Sequence, residues 1–80
     1  MQLNIYLFGI TKEIIGGGQL AYLARGPLTV GQLRAELCQQ YPALTALRSL
    51  AIAVNNDYAE DDLALVASDE IALIPPVSGG

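Results

Sequence analysis

The chain has 80 residues, of which 52% are hydrophobic and 15% are charged, and its formal net charge is −4. This length allows one domain. Intrinsically disordered chains combine low hydrophobicity with high net charge, so that class is excluded. The four basic residues form no cluster, and clustered basic residues are needed to bind nucleic acids or anionic membranes. We therefore expect neither a nucleic-acid partner nor a membrane partner.

The sequence shows no pattern typical of a disulfide-bonded, membrane-spanning or secreted protein. The single cysteine cannot form an internal disulfide. Apolar runs are far shorter than the roughly 20 residues of a transmembrane helix. The first residues carry no positively charged side chain of the kind that opens a signal peptide. We therefore predict a cytoplasmic protein.

The first half of the chain predicts two strands. Residues 3–8 are apolar nearly throughout, which is typical of a strand buried on both faces. Residues 19–24 predict a second strand, antiparallel to the first because the connection is short. Between them, residues 11–15 can form one helical turn that residues 16–18, all glycine, close.

A main helix is predicted to follow these strands. Thr29 is a suitable N-cap, because its hydroxyl can accept a hydrogen bond from a free backbone N–H group of the first turn. Pro42 ends the helix, and residues 43–48 can add a further turn. Apolar residues recur at helical spacing and form one stripe: Val30, Leu33, Leu37 and Tyr41.

The second half predicts further strands. Residues 50–54 form a third strand, and the turn at residues 55–57 suits asparagine and aspartate, which tolerate left-handed backbone. Residues 58–59 pair back, residues 60–62 form a solvated acidic loop, and residues 71–74 form the last strand.

One main helix then covers one face of a mixed sheet of four to five strands. This is an α+β architecture, and the ubiquitin-like β-grasp is the small fold that fits it best. We predict a β-grasp domain over residues 1–74 and an extended tail over residues 75–80.

Side-chain catalysis is difficult to assemble from this sequence. There is no histidine, so the usual general base and a familiar zinc ligand are missing. Cys38 flanks the apolar stripe of the predicted helix, with no obvious group to activate its thiol. We interpret Cys38 as a partly buried packing residue and predict no metal site.

The last six residues are unusual in composition. Pro75 and Pro76 end the last strand and stiffen the chain that follows. Gly79 and Gly80 lack Cβ atoms, so they form a thin chain end suited to a narrow active site in another protein. An ordinary frayed terminus has a similar composition, and composition alone leaves both interpretations open.

With these residues in view, the chain resembles the small sulfur-carrier subunits of molybdopterin synthase, within the ubiquitin-like sulfur-carrier family. Two positions depart from the family pattern: Ser68 stands where glycine is common, and Lys12 where arginine is common. The resemblance spans essentially the whole chain and depends most on the ending at residues 75–80, on residues 53–55 and 69–72, and on Phe8-Gly9 followed by Lys12-Glu13 and Gly16.

The resemblance implies a function for the chain end. A partner enzyme uses ATP to adenylate the Gly80 carboxylate, and sulfur then replaces the adenylate to leave a terminal thiocarboxylate. The tail donates this sulfur to a cyclic pterin phosphate and so builds the dithiolene of molybdopterin. Gly80, with Gly79 beside it, is then the catalytic group of a sulfurtransferase subunit that has no catalytic side chains and binds no cofactor.

The resemblance also implies partners: a large catalytic subunit in a heterotetramer, an adenylating enzyme and a sulfurtransferase. Tyr58 follows a turn and is a good candidate for an interface anchor. For Phe8 and Ile74, packing in the core is an equal alternative. The implied partner-binding residues are Phe8, Lys12, Tyr58, Ile74, Pro75, Pro76, Val77 and Ser78.

Three other functions remain open at this point. The chain can be a thiamin-type sulfur carrier or a ubiquitin-like modifier joined to lysines, both of which use the same carboxylate. It can also be a β-grasp binding module with an incidental Gly-Gly ending. This last hypothesis predicts that removal of Gly79 and Gly80 leaves function unchanged.

Overall fold

The computed structural model describes residues 1–47 and 49–76, which form one mixed sheet packed against a main helix. The elements are β1 (Gln2–Leu7), α1 (Ile10–Ile15), β2 (Gln19–Leu23), α2 (Val30–Gln40), a 3₁₀ helix (Pro42–Ala46), β3 (Ala51–Val54), β4 (Asp57–Tyr58) and β5 (Glu70–Ile74). Strand β1 pairs antiparallel with β2 and parallel with β5, and β3 pairs antiparallel with both β5 and β4. The strand order is therefore β2-β1-β5-β3-β4.

The core lies between α2 and one face of the sheet. Alternate residues of each strand point to the same face, and those of β1, β3 and β5 that face α2 are nearly free of solvent contact. The helix contributes Val30, Leu33 and Leu37, three members of the predicted stripe, each 0% exposed. Tyr41 is partly buried against this cluster. The buried strand residues are Leu3, Ile5, Leu7, Ile52, Val54, Ile71 and Leu73.

The prediction that the first strand is buried on both faces is wrong. Asn4 is exposed, and Phe8, just past the end of β1, is 48% exposed. Helix α2 covers only one face of the sheet, and within residues 1–47 and 49–76 no helix packs against the other. The apolar run is continuous because Tyr6 and Phe8 lie on the uncovered face, which we call the outer face.

Helix α2 begins as the sequence predicts. The backbone N–H of Gln32 donates to the Thr29 hydroxyl at 3.3 Å, and the backbone N–H of Thr29 donates to the Gln32 side-chain oxygen at 2.9 Å. This reciprocal capping box satisfies two N–H groups that have no partner within the helix. The helix ends before Pro42, where the predicted further turn takes 3₁₀ geometry.

A tight hairpin connects β3 and β4. Val54 pairs with Asp57, so the turn contains only Asn55 and Asn56. Both have positive φ angles, 53° and 73°, as the hairpin turns that match strand twist require. Asparagine tolerates this backbone better than most residues, and the predicted turn is confirmed.

The hairpin is tied to the start of β5 by a polar network that sequence reasoning did not predict. The Asn55 side-chain amide donates to the Asp69 carboxylate at 2.9 Å, and the backbone N–H of Glu70 donates to the Asn55 side-chain oxygen at 3.0 Å. The second Asp69 oxygen accepts from the backbone N–H of Val66 at 2.8 Å. Asp69 therefore joins two loops that are distant in sequence.

Replacing Asp69 by alanine is expected to destabilise the fold by about 1–2 kcal/mol, because two hydrogen bonds to one carboxylate are lost at a partly exposed site. Urea unfolding followed by circular dichroism measures this change. Asp62→Ala, at an exposed position in the acidic loop, is the control and should stay within about 0.5 kcal/mol of the wild type. Equal losses in the two variants would contradict a structural role for the network.

Candidate functional site

A row of side chains crosses four strands on the outer face. The strand registers place Tyr6 beside Ala72 and Ala72 beside Ala53. Ala53 in turn lies beside Tyr58, whose side chain is 75% exposed. Because alanine is short and tyrosine is long, the row forms a shallow groove with a floor of methyl groups between two aromatic walls.

Phe8 and Ile74 lie at one end of this groove. Leu7 pairs with Leu73, and continuing this register places Phe8 beside Ile74. Phe8 is 48% exposed and Ile74 is partly buried, so neither belongs to the buried core. The volume is about 440 Å³, and we call this feature the outer groove; its lining residues are Tyr6, Phe8, Ala53, Asn56, Tyr58, Glu70, Ile71, Ala72 and Ile74.

The C-terminal tail begins at the same end of the outer groove. Strand β5 ends at Ile74, as the two prolines predict, because proline has no N–H group to donate to a neighbouring strand. Pro75 is partly buried and Pro76 is exposed. The predicted site residues Val77, Ser78, Gly79 and Gly80 lie outside the described residues, and their roles stay predictions.

Lys12 is exposed on α1 and does not line the outer groove. Its carbonyl accepts hydrogen bonds from the backbone N–H groups of Gly16 and Gly17, at 2.7 and 3.0 Å. Gly16 ends the helix in left-handed backbone, with a φ of 98°, which glycine adopts without steric cost. A contact between the Lys12 side chain and a partner stays a prediction.

Sequence reasoning missed Thr11, a fully buried polar residue. Its hydroxyl donates to the Phe8 carbonyl at 2.6 Å and accepts from the Phe8 backbone N–H at 2.9 Å. Both backbone groups of Phe8 are thereby held at the groove end. The sequence signal was present, since threonine side chains often form hydrogen bonds with backbone groups three or four residues earlier in the chain.

The remaining candidate groups behave as packing or surface residues. Cys38 is partly buried against the core, which confirms its interpretation as a packing residue. The acidic residues 60–62 are exposed, and one of them, Asp61, forms an ion pair with Arg34. Within the described part of the chain, no group of three His, Cys, Asp or Glu side chains could hold a metal ion, and no helix there is long and apolar enough to cross a membrane.

A side-chain contact joins β2 to α2. The Tyr22 hydroxyl donates a short hydrogen bond to the Glu36 carboxylate. This hydrogen bond, with a smaller contribution from burial, raises the pKa of Tyr22 from 10.0 to about 12. Ionised Tyr22 would have no proton to donate in this hydrogen bond, and its negative charge would lie beside the negative Glu36 carboxylate.

The pKa shift of Tyr22 predicts a loss of stability at high pH. The folded state holds the proton more tightly than the unfolded state, so this contribution is complete below pH 10 and is lost as the pH rises towards 12. We expect the loss to be about 1 kcal/mol after allowance for solvent screening. Between pH 10 and pH 12, the urea midpoint of unfolding should fall less in Tyr22→Phe than in the wild type. Glu36→Gln keeps an acceptor without the charge and should be intermediate; an unchanged pH dependence in both variants would contradict the assignment.

Comparison with known protein families shows which family the chain belongs to. The model of the ThiS family matches residues 5–80, which include all of β5 and the tail. The chain belongs to the ThiS family. This confirms the sequence-based resemblance to sulfur carriers with a ubiquitin-like fold.

Known proteins similar to this ThiS-family chain include a sulfur carrier subunit and a modifier protein. It is 33% identical to the molybdopterin synthase sulfur carrier subunit of Aedes aegypti, an alignment that covers 100% of this chain and 90% of that protein. Among solved structures, it is similar to small archaeal modifier protein 1 of Haloferax volcanii, with 27% identity, a TM-score of 0.79 and coverage of 95% and 98% of the two chains.

A second similar structure is a complex of subunits 1 and 2 of the molybdopterin-converting factor from Helicobacter pylori. The matching chain is 28% identical, with a TM-score of 0.67, and both chains are covered completely. Similarity to these structures over nearly the whole chain confirms the β-grasp fold of this ThiS-family chain.

Proposed function

We propose that this chain is the sulfur carrier subunit of a molybdopterin synthase and that the carboxylate of Gly80 carries the sulfur. The observation that carries the proposal is the extent of the family match, which runs through residue 80 and so includes Gly79 and Gly80. Curated relatives with this name align with the whole chain.

The chemistry needs an activated carboxylate rather than a catalytic side chain. A carboxylate is a poor electrophile, so a partner enzyme first transfers AMP from ATP to the Gly80 oxygen and releases pyrophosphate. A sulfurtransferase then supplies sulfur at the oxidation level of sulfide, which attacks the carbonyl carbon and displaces AMP, so that a thiocarboxylate remains. Because ATP binds the activating enzyme, this chain needs no cofactor, and the need for ATP supports a cytoplasmic location.

The large catalytic subunit is the partner that receives the tail. The outer groove ends where the tail begins, so a protein that covers the groove also meets the chain end. Exposed aromatic and aliphatic side chains often mark such contacts. In this proposal Phe8, Tyr58 and Ile74 bind the large subunit, Pro75 and Pro76 stiffen the exit, Val77 and Ser78 enter the active site, and Lys12 makes a peripheral polar contact.

In this proposal the two subunits have different tasks in the reaction. This chain acts as the sulfur-donor subunit of a sulfurtransferase, in a heterotetramer with the large subunit. The large subunit binds the cyclic pterin phosphate and aligns its carbon atoms with the thiocarboxylate, where positioning and fixed charges accelerate transfer. Successive transfers build the dithiolene.

Intact-mass spectrometry tests the proposal. The chain is produced together with an activating enzyme and a sulfurtransferase, and its mass is compared with that of chain produced alone. We expect a shift equal to the replacement of one oxygen by sulfur, localised to Gly80 by fragmentation. A variant without Gly79 and Gly80 is the control and should show no shift. If the full chain never exchanges an oxygen for sulfur under these conditions, the proposal is wrong.

A ubiquitin-like modifier is the second candidate, favoured by the similarity to a small archaeal modifier protein. The same acyl adenylate would then be attacked by a lysine amine of another protein, which forms an isopeptide bond. Peptide mass spectrometry of cells that produce the chain distinguishes the two. Because Arg48 is the last basic residue of the chain, trypsin would leave residues 49–80 joined through Gly80 to each lysine that the modifier has reached. Absence of such remnants together with sulfur loading favours the carrier, and a thiamin-type carrier would give its sulfur to a different acceptor.

A further inference from the structure

The exit of the tail depends on a turn at Gly9. Continuing the parallel register of β1 and β5 by two residues beyond Leu7 and Leu73 places Gly9 beside Pro75. A Cβ atom added at Gly9 would lie 3.1 Å from Cγ of Pro75. Two carbon atoms without a bond between them prefer about 3.5–4.0 Å, so a side chain at Gly9 would displace the proline ring.

The backbone of Gly9 is fixed independently of Pro75. Its φ and ψ are 56° and −134°, a conformation that strongly favours glycine. The preceding residue, Phe8, is held by both hydrogen bonds of the buried Thr11 hydroxyl. The carbonyl of Gly9 accepts from the backbone N–H of Lys12 at 3.1 Å. The turn is therefore a rigid surface against which Pro75 lies.

We propose that Gly9 is a positioning residue for the tail: the bare backbone of Gly9 leaves the space that the Pro75 ring occupies, and this contact sets the direction in which the tail leaves the sheet. Pro75 is the first residue after β5, so a displacement of its ring is passed to every residue that follows. The role of Gly9 in sulfur transfer rests on the proposed function, whereas its contact with Pro75 does not.

A double-mutant cycle separates this contact from backbone strain. Gly9→Ala adds a Cβ atom and also strains the backbone, whereas Pro75→Ala removes the ring that the Cβ would meet. The strain is the same with either residue at position 75, so it cancels in the cycle. The four proteins are the wild type, Gly9→Ala, Pro75→Ala and the double variant, each loaded as the thiocarboxylate.

The first readout is single-turnover sulfur transfer with saturating large subunit. We expect Gly9→Ala to slow transfer about tenfold or more when Pro75 is present, because small misplacements of reacting atoms are costly. With alanine at position 75, the same change should slow transfer only about twofold. Equal slowing in both backgrounds would overturn the proposal, as would a Gly9→Ala rate within about twofold of the wild type.

The second readout needs no partner and no sulfur. In urea unfolding, Gly9→Ala should lower the midpoint more in the wild-type background than in the Pro75→Ala background, because only the first contains the clash. If Gly9→Ala does not fold and the double variant does, the contact is supported; unfolding of both alike contradicts it. A wild-type chain that transfers no sulfur would overturn the proposed function and the positioning role together, while the unfolding cycle would still decide the contact between Gly9 and Pro75.

Discussion

Addition of one alanine after Gly80 is expected to lower sulfur transfer at least about 100-fold. The added residue converts the Gly80 carboxylate into an amide, which cannot be adenylated. It also moves the new terminal carboxylate about 3.5 Å farther along the extended chain. The reacting carbon would then lie beyond the position at which an activating enzyme and a large subunit align it.

Gly80→Ala is the matched control for this prediction. It keeps the terminal carboxylate at the same distance along the chain and adds only a Cβ atom, so its effect reports on the width of the receiving channel. We expect a smaller loss than in the extended chain, measured as thiocarboxylate formed per minute and as product formed with the large subunit. Wild-type transfer by the extended chain would show that the Gly80 carboxylate is not the sulfur site.

Replacement of Tyr58 by alanine is expected to weaken binding of the large subunit about 30-fold, which corresponds to about 2 kcal/mol. Tyr58 forms one wall of the outer groove and is 75% exposed. A large aromatic side chain that is exposed in the free chain and buried against a partner often contributes this much. Because it makes few contacts within the chain, its removal should change the free energy of unfolding by less than about 0.5 kcal/mol.

Leu23→Ala tests whether the effect is specific to the groove. Leu23 is 74% exposed, and its pairing with Gln2 places it on the same outer face. It lies on β2, at the opposite edge of the sheet, outside the groove. Isothermal titration calorimetry should give wild-type affinity for Leu23→Ala. If both variants bind the large subunit equally weakly, binding depends on exposed apolar surface in general and not on the outer groove. If Tyr58→Ala unfolds, Tyr58 is one of the residues that stabilise the fold.

Local sequence signals predicted the main helix and the hairpin turn correctly. The Thr29 cap and the stripe of Val30, Leu33 and Leu37 depend on residues three or four apart, and such contacts form within one helix whatever the rest of the chain does. The positive φ angles of Asn55 and Asn56 are likewise an intrinsic tolerance of asparagine. Strand ends shifted by only one residue, as at Ala24 and Leu50.

The burial of the first strand was not predictable from its own residues. A strand with an apolar run can be buried on both faces or can leave one face for a partner, and these two kinds of strand have similar composition. Only the position of α2, which covers a single face, decides between them. The same holds for Phe8 and Ile74, for which core and interface were equal alternatives until the sheet placed both outside the core.

By itself, the sequence determined the family resemblance, and the proposed carboxylate chemistry depends on that resemblance. Without it, the composition of the Pro-Pro-Val-Ser-Gly-Gly ending fits an ordinary frayed terminus equally well. The tertiary structure decided which residues lie around the end of β5, where the tail begins. Tyr6, Ala72, Ala53 and Tyr58 lie on four different strands and form a groove only because strand pairing aligns them. Gly9 meets Pro75 because β1 and β5 run parallel side by side. Such contacts join residues far apart in sequence, and no local pattern records them.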